Sequence, residues 1–153
     1  MSLRSKIIEL AAEYQDEMVA TRRYLHQHPE VSYKEYETTK FIKSKLDELG
    51  IPYEGEKKSD RVIALRADID ALAMNEEGDF KKDFFSKNSG AAHCCGHDAH
   101  TSNLLGVAKI LVDLKAEIEG TVLLVFQPGE EKLPGGGKLL CNTGFLQSKN
   151  VKA

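Results

Sequence analysis

The stretch His93-Cys94-Cys95-Gly96-His97-Asp98-Ala99-His100 places three imidazoles, two thiols and a carboxylate within eight residues. All three groups bind divalent metals. Gly96 lies among them, where the backbone can turn sharply. A second cluster, Glu130-Glu131, follows about thirty residues later, after an apolar run and Gln127-Pro128-Gly129. Cys95 and His97, two positions apart, can reach one ion from a single turn, and a thiolate with a neutral imidazole suits zinc or a similar borderline metal. A carboxylate from Glu131 adds a third ligand of the kind found in hydrolytic sites. Glu130 is then left to take a proton from an activated water and return it to a leaving amine.

Each group also has a plainer reading. Paired glutamates after a strand are commonly a solvated loop or a helix start. Asp68 and Asp70 serve equally as turn formers or as supports of a site, with Asp98 and His100 in the same supporting class. His26 and His28 close the first helix by bonding its last carbonyls. Cys94 and Cys141 pack as small hydrophobes. A thiol hydrolase with Cys95 as nucleophile and His97 as base is a further option, although at this spacing the two more naturally share a metal.

The elements that must carry these groups follow from periodicity. Apolar residues at Leu3, Ile7, Leu10, Tyr14, Met18 and Leu25 predict one amphipathic helix over 3–25, ended before Pro29. A second helix is expected from Lys34 to Leu49, with Gly50 as a left-handed C-terminal cap. Val62–Leu65 reads as a short buried strand running into Arg66–Asp70, and 75–90 as loop. A helix from about His100 to Leu114 precedes Val122–Phe126, an unbroken apolar strand of the kind enclosed on both faces. Gly135–Gly137 is read as loop, followed by a short helix containing Leu139 and Leu140. Strand, helix and strand make a βαβ unit. The fold class is therefore α/β, a mostly parallel sheet flanked by helices. Ligands of such sheets bind beyond the C-terminal ends of the strands, where Asp68, Asp70, Glu130, Glu131 and the histidine–cysteine cluster all converge.

Composition narrows the function. With 21 basic and 24 acidic residues the net charge is −3, which makes no electrostatic case for nucleic acid or an anionic membrane. No run approaches the roughly 18 apolar residues of a membrane span. The N-terminus lacks the continuous apolar core of a secretory signal, and three cysteines do not form a disulfide framework. A reducing, cytoplasmic setting is expected.

Four segments carry a resemblance. Arg22–Glu30 (RRYLHQHPE), Ala64–Leu72 (ALRADIDAL), Cys95–Thr101 (CGHDAHT) and Gln127–Glu131 (QPGEE) resemble, in order, motifs of the amidohydrolase branch of the aminoacylase and zinc carboxypeptidase clan. That branch includes hippurate hydrolases, N-acyl-amino-acid amidohydrolases and auxin-conjugate hydrolases. The resemblance implies an incomplete metallo-aminopeptidase-like catalytic domain, with metal ligands at Cys95, His97 and Glu131 and a general base at Glu130. It implies two divalent ions per site, Zn2+ or Mn2+, with one or none held by this chain alone. The implied substrate is an N-acyl amino acid or small peptide, and homo-oligomers are usual in the family. Relatives are longer, so residues 1–153 correspond to an N-terminal portion, without the inserted dimerisation domain, the second half of the catalytic domain and two further histidine ligands. Ala73 stands where proline is usual, and Gly129 where alanine is usual. The alternative function is a truncated, catalytically inactive metal-binding or interaction module.

Overall fold

The computed structural model describes residues 1–53, 61–78 and 82–153. Helix α1 (Leu3–Glu13) starts at Ser2, whose hydroxyl accepts from the Ser5 amide, the usual satisfaction of an orphan donor. The expected single first helix is divided at Tyr14, where α2 (Gln15–Gln27) begins. The hydrogen-bond ladder nevertheless carries across, from Tyr14 N–H to Leu10 O and from Met18 N–H to Tyr14 O. The Tyr14 hydroxyl donates to Asp113 at 2.5 Å, which draws the junction toward the far end of the central helix. α1 buries none of its residues, whereas α2 ends in buried Leu25 and His26.

Helix α3 (Tyr36–Glu48) receives the Glu30 carboxylate at its N-terminus, where the Glu37 and Thr38 amides donate to it at 3.2 and 2.8 Å. An anion there meets both the free amides and the positive end of the helix dipole. The helix stops as expected at Gly50, which is left-handed with φ +64°. Gly50 N–H reaches Asp47 O and Ile51 N–H reaches Leu46 O, a Schellman closure.

Strands β1 (Val62–Asp68) and β2 (Thr121–Gln127) pair in parallel, Val62 opposite Thr121 and Asp68 opposite Gln127. Both run longer than their apolar cores. Helix α4 (His97–Asp113) connects them and begins three residues before the expected start, because left-handed Gly96 (φ +86°) turns the chain there. Gly106 lets α2 approach α4 closely, since a Cβ on it would lie 2.2 Å from Met18 Sδ. The core gathers Ile42 and Leu46 of α3, Leu105 and Ala108 of α4, and Ile69 just after β1, with Leu124 and Phe126 packed against them.

Two further expectations change. Val122–Phe126 is half-buried rather than enclosed on both faces, because the described sheet has two strands and an apolar groove of about 650 Å³ runs beside β2, bordered by Leu111, Leu124 and Phe126. The expected glycine loop instead opens helix α5 (Gly136–Asn142), and α6 (Phe145–Ser148) follows. Gly136 begins that helix because a Cβ would meet Pro128 O at 1.7 Å. The last two residues return to β1, Lys152 N–H to Val62 O and Ala64 N–H to Ala153 O. No helix among the described residues is long and apolar enough to cross a membrane.

Candidate metal centre

The paired ends of β1 and β2 bring Asp68 beside Gln127, and everything that follows is anchored to that pair. Arg66 holds both: its Nε donates to Gln127 Oε1 at 2.9 Å and its terminal nitrogen lies 2.8 Å from Asp68 Oδ2. The other Asp68 oxygen accepts from His100 Nδ1 at 2.6 Å. Thr101 Oγ1 donates to the Asp68 carbonyl at 3.0 Å, which ties the first turns of α4 to the strand end.

His97 opens α4 and is buried. Its Nδ1 donates to the Asp70 carbonyl at 2.8 Å. That bond selects the tautomer with a bare Nε2 lone pair, the form a metal takes. His97 Nε2 faces Asp68 Oδ2 at 3.5 Å, Glu131 Oε1 at 3.7 Å and Glu130 Oε2 at 3.9 Å. Two ligand groups therefore share His97, one with Asp68 and His100 and one with Glu130 and Glu131.

The Glu130–Glu131 loop is held by Asp70, an expected support, and by Glu35 and Tyr33, which local pattern did not single out. Gly129 N–H donates to Glu35 at 2.8 Å, and Glu131 N–H to Asp70 Oδ2 at 3.0 Å. The Tyr33 hydroxyl donates to Lys132 O at 2.9 Å and accepts from Gly135 N–H at 3.1 Å. Gly129 has φ +64°, and a Cβ on it would lie 2.3 Å from the Tyr33 ring. Gly129→Ala is expected to cost about 1–2 kcal/mol from the left-handed backbone alone, plus displacement of Tyr33. Urea denaturation reads this, and a midpoint equal to wild type would refute it.

Asp70 shows how the site tolerates charge. Burial pushes its carboxyl up, but the Ser32 hydroxyl at 2.6 Å and the Glu131 and Glu130 amides outweigh that and hold it below the usual range. For Asp98, burial is likewise overcome, by the His26 hydrogen bond and by the Arg22 and His26 charges. Cys95 is exposed. The neighbouring Glu131 carboxylate first, then burial and the nearby Cys94 and Glu130 charges, push its thiol up to about 11. A thiol kept neutral beside carboxylates is the reverse of an activated nucleophile, which disfavours the thiol-hydrolase reading.

The histidines divide differently from expectation. His28 does cap its helix, through Nδ1 to Tyr24 O at 2.7 Å. His26 instead sits buried between two carboxylates. His93 is buried with neither ring nitrogen hydrogen-bonded, and desolvation lowers its pKa to about 4. Its unfolded value is near 6.5, so as pH falls below 6.5 the unfolded chain gains a proton that the folded chain refuses until about pH 4. The metal-free protein is therefore expected to lose about 3 kcal/mol over that window from this group. His93→Gln should flatten the loss in pH-dependent urea melts; an unchanged slope would refute the assignment. Cys94 and Cys141 are exposed rather than packed, since Cys94 lies on the loop before α4 and Cys141 on the outer side of short α5.

A family model described as peptidase family M20/M25/M40 matches residues 64–153, more than half of the chain. The chain belongs to this family. Among its relatives, the Arabidopsis thaliana IAA-amino acid hydrolase ILR1-like 4 is 42% identical over 162 residues, covering 97% of this chain and 36% of the relative. The N-acyl-L-amino acid amidohydrolase of Geobacillus stearothermophilus is 38% identical over 160 residues, covering 97% and 43%. A solved Bacillus subtilis protein, YXEP, described as a dinuclear metal binding peptidase of the M20 family, superposes with a TM-score of 0.77 at 38% identity, covering 88% of this chain and 40% of that one. The α/β reading and the family resemblance are thereby both supported. The chain spans roughly two fifths of the length of these relatives.

Proposed function

We propose that residues 1–153 form the N-terminal portion of an M20 catalytic domain and carry one wall of a metal-dependent amidohydrolase acting on N-acyl amino acids or small peptides. The inserted dimerisation domain and the second catalytic half lie outside this sequence in that reading. The observation that carries it is the bare His97 Nε2 ringed by three carboxylates within 3.9 Å. The facing Glu130 and Glu131 oxygens lie within 4.8 Å of each other, and like charges that close repel unless a cation joins them. Nitrogen, oxygen and sulfur donors together fit Zn2+ or Mn2+.

Cys95, His97 and Glu131 are assigned as ligands, with Asp68 and His100 on the adjacent side and Asp70 and Asp98 as supports. When bound, the metal supplies Lewis acidity and brings the pKa of a coordinated water toward about 7. Glu130 is the more open of the paired acids, 43% exposed against 20% for Glu131, and serves as general base. It accepts a proton from the attacking water and returns it to the departing nitrogen. Asp70 keeps His97 in the required tautomer through its carbonyl, and its carboxylate holds the Glu131 backbone in place. The homologous activities support this reading, as relatives named for N-acyl amino acid and IAA-amino acid hydrolysis match nearly the whole chain.

A second reading, an inactive metal-binding or interaction module, is favoured by the open apolar groove beside β2. Elemental analysis separates the readings, run on the purified 153-residue protein with Cys95→Ser and Glu131→Gln. At least one tightly held Zn2+ or Mn2+ per chain, lost in both variants, is expected. Metal absent from all three after loading would overturn the metal assignment. Metal retained without cleavage of N-acetyl amino acids would favour the module.

A further inference from the structure

Behind the metal-facing side chains lies a second charged layer that the proposed reaction does not use. His26, 1% exposed, donates from Nδ1 to Asp98 Oδ2 at 2.7 Å and from Nε2 to Glu76 Oε1 at 2.7 Å. Both partners are carboxylates, and only the doubly protonated ring donates to both. Arg22 Nε adds a third bond, to Asp98 Oδ2 at 3.1 Å. Two cations and two anions thus balance in a group whose Asp98, His26 and Glu76 side chains are at most 2% exposed. The second Glu76 oxygen accepts from Ser86 N–H at 2.8 Å. One imidazole therefore joins α2, the loop before α4, and the first turn of α4.

On the strand side that first turn is held by His97 Nδ1 on the Asp70 carbonyl at 2.8 Å and by His100 Nδ1 on Asp68 Oδ1 at 2.6 Å; on the α2 side its side-chain tie is Asp98. Gly96 offers no side chain to cap α4, so the orientation of the opening residues depends on side-chain anchors. Thr101 supplies one, through the Asp68 carbonyl. Asp98 supplies another, and it is the covalent neighbour of His97.

We propose that His26 is a positioning residue for the metal centre: by clamping Asp98 against Glu76 it sets the direction in which the α4 N-terminus presents His97 and Cys95. This rests on the assignment of those two residues as metal ligands. Asp98 Oδ2 is taken up by His26 and Arg22, on a side chain with no exposure. It transmits the clamp, and loosening it misaims ligands that are otherwise intact.

Co2+ titration of the 153-residue chain tests it, because the metal reports its own surroundings. The dissociation constant and the sulfur-to-cobalt charge-transfer band are followed in wild type, His26→Gln, Glu76→Gln, Cys95→Ser and the distant core variant Leu46→Ala. Wild type is expected to show the band and Cys95→Ser to lack it. His26→Gln should weaken Co2+ binding by about 10-fold, in the range seen when outer partners of metal ligands are removed, and shift the visible spectrum. Glu76→Gln should move both readouts in the same direction, and it carries the comparison should His26→Gln not fold. Leu46→Ala should lower the melting temperature and leave both unchanged. A His26→Gln protein with wild-type affinity and spectrum, or equal shifts in Leu46→Ala, overturns the positioning role and leaves the metal assignment standing. No band in wild type overturns the metal assignment and this proposal with it.

Discussion

On the proposed function, Glu130→Gln is expected to slow hydrolysis of N-acyl amino acids by about 10²–10⁴-fold, the usual contribution of a positioned general base, or about 3–5 kcal/mol of transition-state stabilisation. Metal content and melting temperature should stay at wild-type values. Glutamine keeps the shape of the side chain and removes its capacity to take a proton. The Glu130 carboxylate is the outermost of those facing His97 Nε2, at 3.9 Å, and is the more open of the pair, so folding depends on it little. Release of free amine from an N-acetyl amino acid, with elemental analysis on the same sample, reads both halves. A variant that loses its metal along with turnover would place Glu130 among the ligands. Wild-type turnover would move the base elsewhere.

Asp98→Ala is expected to produce the largest stability change. Its side chain is fully buried and accepts from His26 and Arg22. Removing one partner of a buried ion pair leaves uncompensated charge and typically costs about 3–5 kcal/mol. For a chain of this size that lowers the melting temperature by about 6–20 °C. The cost should shrink when His26 is already alanine, since residues in one network are not additive. Thermal melts of the two single variants and the double variant decide this, and strict additivity would show that the two side chains act independently.

The apolar periodicity of residues 3–25 indicated helix, but the division at Tyr14 did not show in it. That division accompanies a hydrogen bond from Tyr14 to Asp113, ninety-nine positions away, and no local window contains it. The β1–α4–β2 order was legible because apolar runs and glycine punctuation are local signals. The early start of α4 was not, since it depends on the left-handed Gly96 and on Thr101 reaching the Asp68 carbonyl. The enclosure expected of Val122–Phe126 failed for a related reason: an apolar strand reports what it can bury and not how many neighbours cover it.

The candidate site divides along the same line. Sequence by itself determined which chemical groups were present, because imidazole, thiol and paired carboxylates at close spacing carry their chemistry with them, and it placed the chain in its family through four ordered motifs. Tertiary structure alone decided which groups face one another. It turned the bare nitrogen of His97 toward Asp68, Glu130 and Glu131, placed Cys95 where Glu131 raises its pKa, and set Ser32, Tyr33 and Glu35 under the Glu130–Glu131 loop. It also converted His26 from an ordinary helix-end histidine into the centre of a buried clamp. The physical reason is common to all of these: a hydrogen bond between residues seventy positions apart depends on how helices and strands pack, and packing is a property of the whole chain rather than of any motif.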